Sequence, residues 1–240
     1  MKVLFSLTSF VCISLCLCFT TDTKTSSYVG YGYDLKSNRP IYNEYHEEEW
    51  VDGKHVTTTT VYKNEKGVVM ASRKLKFSQG SETPGYRLDV KKTGYYEGAE
   101  IIKSGVRVYA FDEEAKKESS KMLEVPSPFV IDGGFNYFIK KRWESIVAGK
   151  TVSFYFVVPA RLDYYHFRAR KVSNLKEKGH NAMLVILEPD NFVLRSIVQP
   201  IKVTYDLASK RILKYEGISN IPGPEDRNFD IRLVYPELGA

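Results

Sequence analysis

Along most of this 240-residue chain, apolar and polar positions alternate with a period of two. That period marks half-buried strands. In residues 28–35, Val29, Tyr31, Tyr33 and Leu35 share one face. In residues 41–51, Tyr45 and Glu47 alternate against Glu44 and His46. Asp52-Gly53 is a strong hairpin signal, and four consecutive threonines at 57–60 then favour strand over helix. Further strands are expected at 68–77, 100–103 and 105–111, with 86–90 a strand or a single turn. Residues 78–85 and 93–98 read as loop and turn, and 112–120 as a charged, exposed segment. Beyond the helix described next, strands are expected at 151–158, 164–172, 182–187, 201–205, 212–215 and 229–235, with a polar turn at 174–181. A short helix is expected at 191–198.

The period changes only once over a long stretch. Phe135, Phe138, Ile139, Trp143, Ile146 and Val147 recur at helical spacing, with Lys140, Lys141 and Glu144 opposite. Asp132 is the expected N-cap and Gly149 the expected stop. A lone helix in a sheet protein must lie on or in the sheet. The pattern therefore predicts a mainly β protein: one long antiparallel sheet with one main α-helix, forming a single domain over residues 28–236. No internal repeat or linker interrupts it.

Composition adds a compartment. Lys2 is followed by an apolar, uncharged run to Phe19, which suits a secretory signal over residues 1–20. The run is short against the roughly 20 apolar residues of a membrane span. The expected location is thus periplasmic or secreted, with an uncleaved N-terminal anchor as the alternative. Residues 21–27, rich in Thr and Ser, read as a mobile leader. All three cysteines, Cys12, Cys16 and Cys18, fall in the signal segment. Their preceding residues are Val11, Leu15 and Leu17, not the small residues that a lipoprotein signal needs. A mature chain without cysteine has no disulfide, thiolate metal site or Cys nucleophile. The formal charge of +6 favours anionic surfaces. With no basic helix face and with export, nucleic acid is not an expected partner.

Several stretches resemble a family of exported bacterial proteins of unknown function. They include Gly32-Tyr33-Asp34-Leu35, Gly134-Phe135, Val158-Pro159-Ala160-Arg161-Leu162, Phe167-Arg168-Ala169-Arg170-Lys171-Val172, Thr204-Tyr205-Asp206 and Leu213-Lys214-Tyr215-Glu216-Gly217. The resemblance implies a strongly curved antiparallel sheet like that of periplasmic lipoprotein carriers. That sheet is an unclosed barrel with a helix in or across its concave face. The analogy is architectural and transfers neither cargo nor catalytic motif.

Three candidate sites follow. An apolar pocket between helix and sheet would be lined by Phe135, Phe138, Ile139, Trp143, Phe154 and Phe156, though the same side chains equally suit a packed core. A basic group, Arg161, Arg168, Arg170 and Lys171, would grip an anionic head, or else simply pair with surface acids such as Glu47 and Glu49. Catalysis has the weakest support. His46 and Glu48 face one way and Glu47 and Glu49 the other, too few on one side for a closed metal site. His166 beside Asp163 and Tyr164 lacks a nucleophile motif. The expectation is therefore no catalytic residue, no metal and no cofactor. The protein is expected to bind or carry a lipid-like, apolar or amphipathic molecule between sheet and helix. The alternative is a structural or adaptor protein of the cell envelope, joined to a protein partner through a sheet edge.

Overall fold

A computed structural model describes residues 21–112, 116–223 and 227–236. The expected signal segment, residues 1–20, lies outside them. The first strands are β1 (Thr23–Asp34), β2 (Pro40–Val51), β3 (Lys54–Asn64), β4 (Val69–Lys76) and β5 (Gly85–Val90). Next come β6 (Tyr96–Ile102), β7 (Gly105–Asp112), β8 (Lys117–Leu123) and β9 (Phe129–Ile131). Two helical pieces follow, α1 (Gly134–Lys141) and α2 (Trp143–Val147). After them come β10 (Val152–Val158), a tight turn Pro159–Arg161, β11 (Asp163–Glu177), β12 (His180–Pro189) and the short helix α3 (Phe192–Ile197). The last strands are β13 (Ile201–Asp206), β14 (Ile212–Pro222) and β15 (Asn228–Val234).

All strands join one 15-stranded sheet with the order β8-β7-β6-β5-β4-β3-β2-β1-β15-β14-β13-β12-β11-β10-β9. Every pairing is antiparallel except β9 with β10. The chain starts mid-sheet, steps to the β8 edge, crosses to the β9 edge and steps back. That crossing uses only residues 124–128, which reach roughly 20 Å at most. A flat sheet of this order would span roughly 67 Å at the usual strand spacing. The sheet must therefore curl until its edges come near each other. β8 and β9 do not pair, so the barrel stays unclosed. Instead, the Pro159–Arg161 turn packs against β6 and β7.

The expected curved sheet is present, and four local expectations change. Residues 23–27 are no leader: they pair with residues 47–51 of β2 and so extend the sheet. The expected 93–98 turn ends early, because β6 begins at Tyr96. β8 begins inside the stretch read as merely charged and runs on to Leu123, since an edge strand wet on both faces loses the alternating pattern. The 174–181 turn shrinks to Lys178-Gly179, both at positive φ (47° and 89°), as a two-residue hairpin requires. In β1 the large residue Tyr31 points outward. Gly30 and Gly32 occupy inner positions, where a Cβ would lie 2.6 Å from the Tyr235 ring and 2.7 Å from the Tyr42 carbonyl oxygen.

The long helix is broken at Arg142, whose backbone sits at φ −106° and ψ 19°. Its N–H is shared between the Phe138 and Ile139 carbonyls at 3.3 and 3.1 Å. Its guanidinium lies over the Phe138 ring and bonds to both Glu82 carboxylate oxygens at 3.3 Å. Asp132 is not the N-cap. Gly133 holds that position without a side-chain bond, and Asp132, at φ +42°, is turned to other partners. Gly149 ends the helix as expected, at φ +82°, with its N–H on the Ile146 carbonyl at 2.9 Å and that of Lys150 on Ser145 at 2.9 Å.

Two apolar clusters make the core. One lines the inner face of the β2–β8 half, with contributions from β14 and β15. The other lies under the helix, where Phe138, Ile139, Trp143 and Ile146 pack on β10 to β13. Phe138 meets Phe154 at 4.6 Å and Trp143 meets Tyr205 edge-on at 5.6 Å. Each such fully buried apolar side chain contributes about 1.5–3 kcal/mol.

Candidate functional site

The curl leaves a cavity of about 1090 Å³ between the sheet and the helix. Its place follows from the two faces of α1. The apolar stripe of the helix faces down into the second core cluster. The opposite stripe, Gly133, Asn136, Tyr137 and Lys140, keeps helical spacing and lines the cavity. The space thus lies over the polar face of the helix, not beneath its apolar one.

β2 builds the facing wall. Strand alternation sends Tyr42, Glu44, His46, Glu48 and Trp50 to the same side, and all line the cavity. Neighbouring strands add Tyr62, Arg73, Phe77, Tyr86 and Glu97. Tyrosine is the commonest residue on the wall. It offers both ring area and a hydroxyl.

A continuous chain of polar contacts runs through this wall. Tyr235 donates to Glu44 Oε2 at 3.1 Å, and His46 Nε2 meets the same oxygen at 3.0 Å. His46 Nδ1 contacts Thr60 Oγ1 at 3.0 Å, and Arg73 Nη2 donates to that hydroxyl at 3.4 Å. Arg73 Nη1 donates to Asp132 Oδ1 at 3.0 Å, and Asn220 donates to Asp132 Oδ2 at 2.8 Å. Asn220 also reaches the Tyr86 hydroxyl at 3.4 Å. Tyr86 and Tyr95 each donate to Glu97 at 2.6 Å.

Burial pushes the Glu44 carboxyl up, but the bond and charge of His46, with Arg73 behind them, outweigh it and hold the group below its ordinary value. For Glu97 burial wins, and its carboxyl is raised despite the two tyrosine donors. Two buried atoms stay unpaired at the cavity residues Arg73 and Asn136, namely Nε and Oδ1.

A second group joins β3 to the helix. His55 is stacked between Trp50 and Phe77, with ring centroids 4.6 and 4.2 Å away. Its Nε2 lies 2.9 Å from the Thr57 carbonyl, which can only accept, so Nε2 carries the proton. Nδ1 then accepts from the Tyr137 hydroxyl at 2.6 Å. Burial lowers the His55 pKa below 6.5 and raises Tyr137 to about 12.

The structure separates the residues expected to form the pocket. Phe135 and Phe156 line the cavity, and so does Arg161. Phe138, Ile139, Trp143 and Phe154 are buried in the second core cluster. Arg168 and Arg170 lie together on Glu188, at 2.7 and 3.1 Å, and do not line the cavity. Lys171 donates to the Val147 carbonyl at 3.2 Å, at the end of α2. His166 pairs with Asp190 at 3.2 Å rather than with Asp163.

The sequence reading missed Glu44, Arg73, Asp132 and Glu97 as cavity groups. One signal was present: ionisable residues at every second position from 44 to 48, on the strand face that also carries Tyr42 and Trp50. Among the described residues, no group of three or more His, Cys, Asp or Glu is placed to hold a metal ion. No described helix is long and apolar enough to cross a membrane. Comparison with known proteins found no matching family model, no similar curated protein and no matching solved structure.

Proposed function

We propose that this is an exported, periplasmic or secreted protein, akin to the exported bacterial family it resembles, that binds or carries an amphipathic molecule in the cavity over α1. One observation carries the proposal: the cavity of about 1090 Å³ is walled by aromatic rings yet holds a hydrogen-bonded polar chain. Ligand sites typically enclose about 300–1,000 Å³ with apolar walls and a few placed polar groups. The cavity matches that size and mixture. The apolar part of a ligand would lie on the rings, and its polar part would meet open hydrogen-bonding groups.

The adaptor reading draws on the sheet edges. β8, one of them, carries Lys117, Glu118 and Lys121. Edge charge of this kind opposes added strands, so the cavity is the better-supported site.

The test uses native mass spectrometry and solvent extraction of the purified full chain, beside an Asn136→Phe variant. Asn136 faces the cavity and its Oδ1 has no partner to lose. The variant is expected to fold, to gain about 1 kcal/mol by removing an unpaired buried group, and to release the co-purifying molecule. Two empty proteins that also fail to take up any amphiphile would sink the proposal.

A further inference from the structure

Three cations on the cavity wall, Lys140, Arg161 and Arg211, make no ion pair and no side-chain hydrogen bond among the described residues; Arg161 is exposed, whereas Lys140 and Arg211 are partly buried. Arg73 is engaged by Asp132 and Thr60. Lys140 belongs to the cavity stripe of α1. Arg211 directly precedes β14 and follows Lys210, whose ammonium lies 5.5 Å from the Trp143 ring at the start of α2. The start of β14 is thereby brought to the end of α1 that carries Lys140.

Apolar side chains share the cavity wall with Lys140 and Arg211. Phe135, Phe156, Phe167, Ile201 and Ile212 form the partly buried margin of the second core cluster, and all of them line the cavity. Phe156 and Phe167 are 5.7 Å apart. Burial pushes the Lys140 ammonium below its ordinary value; Glu48 opposes that shift and Arg211 adds to it. Glu48 and Lys140 form no ion pair, and the Glu48 Oε2 takes the Trp50 indole N–H at 3.3 Å and the Ser26 hydroxyl at 3.4 Å. Two like charges held in one partly desolvated space are costly unless an anion joins them.

Resting on the cavity-binding reading, we infer that Lys140 and Arg211 form an anion subsite and that the ligand is an amphipathic acid. Its carboxylate or phosphate head bridges the two cations. Its apolar part runs along Phe135, Phe156, Phe167, Ile201 and Ile212. The guanidinium supplies a planar fork and the ammonium a point charge, a combination suited to either acid.

The test titrates the full chain with four probes of equal tail: decanoate, decyl phosphate, decanol and decyltrimethylammonium. Trp50, on the cavity wall, is the fluorescent reporter in a Trp143→Phe background. At least one acid is expected to bind about tenfold or more tighter than both decanol and the ammonium probe. The tighter of the two acids identifies the head. A Lys140→Met, Arg211→Met double variant is expected to lose about tenfold in acid affinity while decanol binding stays within about twofold. Equal binding of acid and alcohol, or preference for the ammonium probe, overturns the subsite and leaves the cavity reading standing. No binding by any probe overturns both. The comparison among probes on the unsubstituted site does not depend on the double variant folding.

Discussion

At residue scale, His55 shows how local contacts become a pH response. Its folded pKa lies below the ordinary 6.5 because burial disfavours the imidazolium. Between the folded and unfolded values the unfolded chain binds more protons, so stability is present above 6.5 and is lost as pH falls through the window. Glu97, raised above 4.5 by burial, acts in the opposite sense: its contribution is lost as pH rises through its folded value. Glu44, held below 4.5, adds a further loss at lower pH. The stability advantage of wild type over His55→Gln should therefore shrink from about pH 7.5 to about pH 5 in urea unfolding. A constant difference would refute the assignment.

Gly134 makes the second residue-scale prediction. A Cβ there would lie 2.0 Å from the Glu82 carbonyl oxygen and 2.9 Å from Pro84. Helix propensity favours alanine by about 1 kcal/mol. The clash is with backbone, however, and overpacking of this kind costs about 1–3 kcal/mol. Gly134→Ala is thus expected to destabilise despite its better propensity. A raised midpoint in thermal unfolding would show that the 82–84 loop yields freely.

At element scale, burial rather than hydrophobicity separates two helices. Phe138 on α1 is 0% exposed against Phe154, whereas Phe192 on α3 is 78% exposed. Phe138→Ala should cost about 3–5 kcal/mol, and Phe192→Ser less than about 0.5 kcal/mol. Both follow from denaturant midpoints. Comparable losses at the two positions would mean that α3 packs more closely than its exposure indicates. α1 also shows what periodicity can and cannot do. Spacing correctly divided Phe138, Ile139 and Trp143 from Lys140. The meaning of the division changed for Lys140, which meets enclosed space, whereas Lys141 and Glu144 on the same face meet bulk water.

At the scale of the whole molecule, continuous strand pairing joins both core clusters. They should unfold as one unit. Trp50 on the cavity wall and Trp143 in the second cluster provide separate probes. Their urea transitions, each followed with the other tryptophan changed to Phe, are expected to coincide. Transitions that part would divide the sheet into independent halves.

Strand, helix and tight turn were legible along the chain because they depend on neighbours in sequence. The threonine run at 57–60, the helical spacing around Phe138 and Trp143, and Asp52-Gly53 each carry their own local constraint. The β1 faces and the edge strand β8 were less legible, since their patterns reflect glycine space and two-sided solvent rather than a single core. The cavity wall depends on still longer range. Glu44, Arg73, Asp132 and Glu97 come from β2, β4, the turn after β9 and β6, and only the sheet's curl unites them. Local periodicity determined which residues share a face; tertiary structure alone decided what each face looks at, because the direction of curl and the space it encloses depend on pairings between distant strands.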